Sequence, residues 1–381
     1  MIYIIVILVT LWGCLYFDVN HKTAGRKAYY IFECFFLICV AGFRYQVGGD
    51  TLNYMLHFEE DDPYFFELFN FDFLGARYNP LWYVFSASCK SIIDQFWFLQ
   101  IVHALILNIT LFWFFKKQTK RYFTAVFFYV LFFYLNYNTE ILRGSLAVCA
   151  WLYGYESLVN KKWLKYYICC FIAIGFHTEA VLTLIYPICH LLKNIRINLV
   201  SLLILSGLTG AFLVFFDISN YLGMFSFMSE RDITKLTDYG NLVDSFRLGS
   251  FAFIKVLIWI AVLCLLDRFN LLSSSQQIIK GFLIIYIVGL MLAMKYSVMI
   301  TRPLDTLYPM AILSVAILNE HSREITSITV KKVLYPIVIT LFLISGISMQ
   351  MLSWERYDPY ISIFNPHENT KLMRYMDAEK D

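Results

Sequence analysis

Long apolar runs alternate with short polar segments along the whole chain. They lie at about 1–17, 28–43, 96–115, 122–138, 143–158, 164–176, 178–192, 198–216, 251–266, 278–295, 303–319 and 333–352. A helix needs roughly 20 apolar residues to cross the hydrocarbon core of a bilayer, and somewhat fewer where interfacial residues extend it. The pattern predicts an all-α, polytopic transmembrane helical bundle of about 12 spans, although the short pair at 164–176 and 178–192 also fits a re-entrant hairpin.

Two segments of less regular character refine this bundle. Leu81–Ile93 is partly apolar but carries Ser86, Ser88 and Lys90, which favours a re-entrant or interfacial helix. Met1–Phe17 lacks a basic start and a small-residue cleavage site, so we expect a retained helix rather than a signal peptide. The composition agrees with a membrane protein, because only 15% of the residues are charged, whereas soluble domains carry about a quarter.

Basic residues gather in every second loop of the predicted bundle. These loops hold Lys22, Arg26, Lys27, Lys116, Lys117, Lys120, Arg121, Lys161, Lys162, Lys165, Lys193, Arg196, Arg268, Lys280, Arg323, Lys331 and Lys332. Short loops rich in lysine and arginine stay on the cytoplasmic side, so the intervening loops and both termini should face outward. We therefore expect a single integral membrane domain, 1–381, with periplasmic loops at 44–78 and 217–250 and a periplasmic tail at 353–381.

Ionisable side chains collect at the outer ends of the predicted helices. They are four arginines, one histidine and two carboxylates: Arg44, Arg143, Arg247, Arg302, His177, Asp50 and Glu179. A single arginine at a helix end also fits a side chain that snorkels to lipid phosphates, but charges clustered near hydrocarbon are costly and mark a substrate site. Arginine suits phosphate because its planar fork binds two oxygens at once. Gly48 and Gly49 add backbone that can approach a ligand closely.

Other outer residues leave two interpretations open. Tyrosines and tryptophans in or beside the outer loops, Tyr45 and Tyr54 among them, fit either an interfacial belt or a groove in which sugar rings stack. The acidic run Glu59–Asp62 is typical of a solvated loop. The nine cysteines lack C-x-x-C spacing and fit small buried hydrophobic residues. Basic residues scattered through short loops do not suggest a nucleic-acid partner.

Four motifs, in order along the chain, resemble the EpsG family of membrane proteins, which are Wzy-like polysaccharide polymerases. "RYQVGGDTLNY" (Arg44–Tyr54) resembles the family signature R-Y-x-V-G-x-D-x-x-x-Y, and "NPLWY" (Asn79–Tyr83) resembles its E-P-x-x-Y stretch. "ILRGSLAV" (Ile141–Val148) resembles i-R-q-x-l-A, and "FHTEA" (Phe176–Ala180) resembles f-H-x-S-a. The resemblance spans most of the chain.

Three positions depart from the family pattern. Asn79 stands where a carboxylate is common, Gly144 where glutamine is common, and Glu179 where a small hydroxyl residue is usual. The first departure argues against a catalytic role for Asn79, and the third makes Glu179 a candidate particular to this chain.

The resemblance implies a GT-C-like glycosyltransferase in the bacterial inner membrane, with its active face toward the periplasm. It would transfer a growing glycan from undecaprenyl pyrophosphate to another lipid-linked repeat unit, with membrane lipid and a chain-length regulator protein as further partners. The expected catalytic candidates are Asp50, His177 and Glu179, and the expected substrate-binding residues are Arg44, Tyr45, Gly48, Gly49, Tyr54, Asn79, Arg143, Arg247 and Arg302. Arginines would stabilise the leaving pyrophosphate without a metal or cofactor, and the chain has no D-x-D motif for a divalent cation.

Other functional classes of membrane protein compete with the polymerase interpretation. A transporter or flippase of lipid-linked sugars places charges along a path through the bilayer and often has paired halves, whereas these charges gather at one face without a visible repeat. An O-antigen ligase would share the fold and the arginines and differ in its acceptor. A membrane-bound acyltransferase is a further alternative, and a scaffold would leave the outer arginines unexplained.

Overall fold

The computed structural model describes residues 2–197, 245–273, 275–293, 297–352, 354–367 and 369. Over these ranges the chain is helical, and the isolated antiparallel bridge between Arg44 and Ser362 is the strand-like pairing that the structure records there. The prediction of an all-α protein is confirmed. The predicted span at 198–216 and most of the predicted 217–250 loop lie outside the described residues.

The chain divides into two compact units, Met1–Leu184 with Leu343–Asp381, and Ile185–Phe342. The first unit contains α1 (Ile2–Gly13), α2 (Arg26–Gly42), α3 (Thr51–Leu56), α4 (Pro80–Ile92), α5 (Phe96–Gln118), α6 (Tyr122–Phe132), α7 (Tyr134–Thr139), α8 (Leu142–Val159) and α9 (Trp163–Phe176). The second contains α10 (Cys189–Leu192), α11 (Ser245–Arg268), α12 (Gln277–Ala293), α13 (Ser297–Leu304) and α14 (Tyr308–Glu320). Helix α15 (Tyr335–Leu352) crosses the boundary, and α16 (Trp354–Tyr357) follows in the first unit.

Several of these helices have the length and composition of membrane spans. Within the described ranges, three continuous helical segments are long and apolar enough to cross a bilayer: Ile2–Val19, Phe96–Gln118 and Val330–Met351. Shorter apolar helical segments cover Tyr122–Phe132, Trp163–Phe176, Thr178–Leu192 and Gln277–Ala293. Together with the family assignment below, they make this a membrane protein.

Two predicted spans are interrupted, for local reasons. The run at 122–138 breaks at Phe133, whose φ of −132° and ψ of −13° leave the helical region. The run at 303–319 divides into α13, a 3₁₀ turn at Asp305–Leu307 and α14. Pro303 lies inside α13 and removes a main-chain donor, so the hydrogen-bond ladder cannot continue unbroken. In contrast, α11 begins at Ser245, earlier than the predicted start at 251.

Helix α5 shows how the first unit is built. Leu99, Leu107 and Leu111 recur along one face and are buried, whereas Ile106 and Ile109 on another face are exposed. A helix that is apolar on every face is typical of a membrane span, where the outward side chains meet lipid. Helix α5 packs against α2 and α8, and α8 packs along α9. The end of α2, the start of α8 and the end of α9 carry the candidate residues described next.

Candidate functional site

The segment after α2 is hydrogen-bonded to the C-terminal tail. The main-chain N–H of Tyr45 donates to the carbonyl of Ile361 at 2.8 Å, and the N–H of Ile363 donates to the carbonyl of Phe43 at 3.0 Å. These bonds flank the bridge between Arg44 and Ser362 described above. The tail expected at 353–381 therefore stabilises the loop that carries the first motif.

Arg44 lies in the interior of the first unit, with 1% of its surface exposed. Its guanidinium donates to the carbonyl of Ala41. With its amide oxygen facing the guanidinium, Gln100 accepts from Arg44 Nη2 at 3.3 Å and donates to the Arg44 carbonyl at 3.0 Å. Burial lowers the pKa of Arg44 to about 10, which still leaves it charged at neutral pH. In this conformation the guanidinium of Arg44 is hydrogen-bonded to the carbonyl of Ala41 and the amide oxygen of Gln100. Direct binding of phosphate by Arg44 therefore stays a prediction.

The paired glycines differ in what they approach. Gly48 has a φ of +105°, and a Cβ added there would lie 2.5 Å from the Cβ of Thr139. The close neighbour of this backbone is thus Thr139 of the same chain. Gly49 lies outside the left-handed region, and an added Cβ would have ordinary contacts with Arg356 and Glu140, at 3.6 and 3.7 Å.

Asp50 and Tyr45 stand on either side of the glycines. Asp50 is exposed at the N-cap position of α3, and its carbonyl accepts from the N–H of Tyr54 at 3.1 Å. Tyr45 is half-buried. This main-chain hydrogen bond closes the first turn of α3, the helix that carries Tyr54.

Arg143 is the centre of a cluster formed by four segments of the first unit. It lies in the first turn of α8, where its Nε donates to the hydroxyl of Tyr54 at 3.5 Å. The guanidinium carbon lies 4.2 Å from the ring centroid of Tyr78, a cation–π geometry. Glu179 is near enough to act electrostatically on the same guanidinium. The predicted residues Arg143, Tyr54 and Glu179 are therefore brought together.

A second arginine joins this cluster from the loop before α4. Arg77 is exposed, its guanidinium carbon lies 5.4 Å from the ring centroid of Tyr78, and its Nη1 contacts Nε2 of His57. His57 Nδ1 lies 2.5 Å from Asp61 Oδ2. Burial and the neighbouring Arg77 lower the pKa of His57, while burial raises that of Tyr78 to about 12. Arg77 and His57 were not among the predicted site residues, because both lie within the predicted 44–78 loop rather than at the end of a predicted helix.

The second and fourth motifs meet beside this cluster. Asn79, at the N-cap position of α4, donates from Nδ2 to the carbonyl of Ile174 at 3.2 Å and to Thr178 Oγ1 at 3.0 Å. His177 Nδ1 accepts from the N–H of Glu179 at 3.2 Å and lies 3.6 Å from the Glu179 carboxylate. Asn79 connects α4 to the end of α9.

Arg247 and Arg302 belong to the second compact unit. Arg302 lies on α13 with an exposed side chain. Arg247 lies on α11, and its side chain is outside the described part of the structure. Their predicted role in substrate binding stays a prediction.

The model of the EpsG family matches residues 27–362, which include all four motifs and the cluster around Arg143. The chain belongs to the EpsG family. No curated protein and no solved structure matches it.

Membership of the EpsG family indicates the class of enzyme to which the cluster belongs. The family is consistent with Wzy-like polysaccharide polymerases, which makes this chain a glycosyltransferase-like membrane enzyme of polysaccharide biosynthesis. Such a polymerase acts on lipid-linked glycan in the membrane. The cluster around Arg143 holds cations, carboxylates and aromatic rings.

Proposed function

We propose that this EpsG-family protein joins undecaprenyl-pyrophosphate-linked repeat units at the outer face of the bacterial inner membrane, as a polymerase of O-antigen, capsule or exopolysaccharide. The observation that carries the proposal is the placement of Arg143 between the Tyr54 hydroxyl and the Tyr78 ring, with Glu179 nearby. An arginine held by tyrosines at the start of an apolar helix is suited to an anion at lipid-headgroup depth.

The chemistry assigned to the cluster is glycosyl transfer. The bond between the sugar anomeric carbon and the pyrophosphate breaks, and a bond from the acceptor oxygen to that carbon forms. Arg143 stabilises the negative charge that develops on the leaving pyrophosphate. The acceptor proton passes to a general base, for which Glu179, with His177 beside it, is the candidate nearest Arg143, and Asp50 is the alternative at the start of α3.

The exposure of the aromatic side chains indicates which of them could contact a sugar. Tyr78 is half-buried with guanidinium groups beside its ring, whereas Tyr54 and Trp82 are buried and support it, with ring centroids of Tyr54 and Trp82 5.4 Å apart. A sugar ring of the donor or acceptor would therefore rest against Tyr78 or Tyr45. Arg44, Gly48 and Gly49 would act from beneath this surface, and Asn79 would fix the loop that carries Tyr78.

The membrane arrangement in this proposal has about 12 spans in a GT-C-like bundle. It is one integral membrane domain over 1–381, with 44–78, 217–250 and 353–381 in the periplasm. Arg247 and Arg302 are further candidate substrate-binding residues in this proposal, and a chain-length regulator protein would be a further partner. Positive charge comes from guanidinium groups, so the transfer is metal-independent.

Reconstitution tests this function. Purified full-length protein in liposomes receives undecaprenyl-pyrophosphate-linked repeat units from the bacterium that carries the chain. The expected result is a ladder of lengthening glycans with release of undecaprenyl pyrophosphate, both of which persist in EDTA. Movement of the substrate across the bilayer without a new linkage would indicate a flippase, and single transfer to a different acceptor would indicate a ligase. Either result would overturn the proposal.

A further inference from the structure

Three cationic or potentially cationic side chains surround the ring of Tyr78. The guanidinium of Arg143 reaches it from α8 and that of Arg77 from the loop before α4, at 4.2 and 5.4 Å from the ring centroid. The ring of His57 meets it edge-on, with centroids 5.1 Å apart. Two guanidinium groups on one aromatic ring repel each other, and an anion between them would relieve the repulsion.

The carboxylates of this region pair with histidines. Asp61 lies 2.5 Å from His57, and Glu179 lies 3.6 Å from His177. Arg143 has a tyrosine hydroxyl and a tyrosine ring as its neighbours, and Arg77 has the same ring and an imidazole. The hydrogen-bond and ring contacts of both guanidinium groups are thus with neutral partners, and the Glu179 carboxylate acts on Arg143 electrostatically while it pairs with His177.

The contact between Arg77 and His57 is compatible with one tautomer of the neutral imidazole. An arginine has donors and no acceptor, so Nε2 of His57 must accept from Arg77 Nη1. The imidazole proton is then on Nδ1, where it donates to Asp61 at 2.5 Å. In this tautomer His57 is neutral, and Arg77 Nη1 occupies the lone pair of Nε2.

We infer that Arg77 and His57 complete, together with Arg143, a pyrophosphate subsite in which binding of the anion moves Arg77 from His57 to phosphate and places a proton from solvent on His57. This rests on the proposed function and deepens it, because it names a second arginine and a titrating group for the donor site. The protonated Nε2 then donates to a phosphate oxygen, while Nδ1 keeps its bond to Asp61.

The sign of the pH dependence follows from the charges that face His57. Asp61 on its own turn favours the imidazolium, whereas Arg77 from the loop, Arg143 from α8 and burial against the Tyr78 ring disfavour it. The pKa of His57 is accordingly below its usual value without ligand. A bound dianion that also attracts Arg77 away raises this pKa. Binding therefore takes up a proton, and affinity increases as the pH falls.

The test uses the full-length protein in detergent and dimethyl pyrophosphate with one methyl ester on each phosphorus. This probe keeps both negative charges between about pH 8 and about pH 6, so only the protein titrates. Calorimetry in two buffers of different ionisation enthalpy measures both affinity and the protons taken up. We expect net proton uptake by the wild type, its loss in His57→Gln, and about ten- to a hundredfold weaker binding by Arg77→Gln.

A matched control is His321→Gln, since His321 Nδ1 lies 2.7 Å from Glu324 in a similar histidine–carboxylate pair of the second unit. That variant should keep wild-type affinity and proton uptake. Wild-type affinity in Arg77→Gln, or unchanged proton uptake in His57→Gln, would overturn the subsite while leaving the assignment of Arg143 intact. Absence of binding by the wild type would overturn both the subsite and the proposed pyrophosphate contact of Arg143.

Discussion

Gly48 lies directly against Thr139, so closely that a Cβ on Gly48 would lie 2.5 Å from the Cβ of Thr139. The hydroxyl of Thr51 lies in the same contact, 3.0 Å from the same position. The glycine of the first motif thus lets the loop after α2 pack on the end of α7. The same motif ends in Tyr54, whose hydroxyl accepts from Arg143 in the candidate site.

Gly48→Ala should destabilise the protein by about 2–4 kcal/mol, because it combines a left-handed φ with a steric overlap. Gly49→Ala is the matched change, since its added Cβ meets its nearest neighbour at 3.6 Å, and it should alter stability by less than about 0.5 kcal/mol. Thermal unfolding in detergent compares the two. Equal unfolding midpoints for both variants would contradict the packing described for Gly48.

Arg44→Gln should lower stability and expression first, and activity only in proportion to the folded fraction. Loss of its buried charge-assisted hydrogen bonds costs about 1.5–3 kcal/mol, and the Gln100 amide oxygen loses the donor Arg44 Nη2. The measurement is polymerisation per folded molecule, next to the thermal midpoint. A variant that keeps the wild-type midpoint yet fails to polymerise would instead favour direct contact between Arg44 and phosphate.

Asp62 should make stability depend on pH. Ser86 donates to its carboxylate, and Lys90 donates to main-chain carbonyls of Phe58 and Asp62 at 2.7 and 2.8 Å rather than to that carboxylate. Burial raises the pKa of Asp62 to about 6. The folded state therefore holds this proton more tightly than the unfolded chain, and the stability gained is fully present below about pH 4 and lost as the pH rises through about 6.

Asp62→Asn should remove this pH dependence and stabilise the protein above pH 6, on the order of 2 kcal/mol. Thermal midpoints between about pH 5 and about pH 8 provide the measurement. Asp72→Asn is the control, because Asp72 is exposed. If the midpoint of Asp62→Asn falls at high pH just as that of the wild type does, the burial argument for Asp62 is wrong.

Apolar runs predicted most helix positions, because a membrane-spanning helix needs a long apolar run independently of its tertiary contacts. They placed α5 and α8 within a few residues of their ends and correctly gave Leu81–Ile93 a helix, which the structure has at Pro80–Ile92. They did not predict the break at Phe133, where the composition stays apolar and only the main-chain angles change.

The candidate site was predicted in part, for a related reason. Arg143, His177 and Glu179 adjoin apolar helices, so their charge is conspicuous in the sequence. His57 and Arg77 lie in a loop rich in acidic residues, and only tertiary contacts bring them to Tyr78. The sequence likewise did not predict the partners of Arg44. Gln100 is distant along the chain, and Ala41 contributes only its main-chain carbonyl.

The initial rate of undecaprenyl pyrophosphate release by reconstituted Arg143→Ala tests the central claim most directly. We expect this rate to fall about ten- to a hundredfold, with an unchanged thermal midpoint and little rescue in Arg143→Lys, because an ammonium cannot reproduce the guanidinium fork. Arg121→Gln, at a loop predicted to face the cytoplasm, should release undecaprenyl pyrophosphate at the wild-type rate. A folded Arg143→Ala protein that releases the carrier and builds full glycan ladders at the wild-type rate would contradict the account.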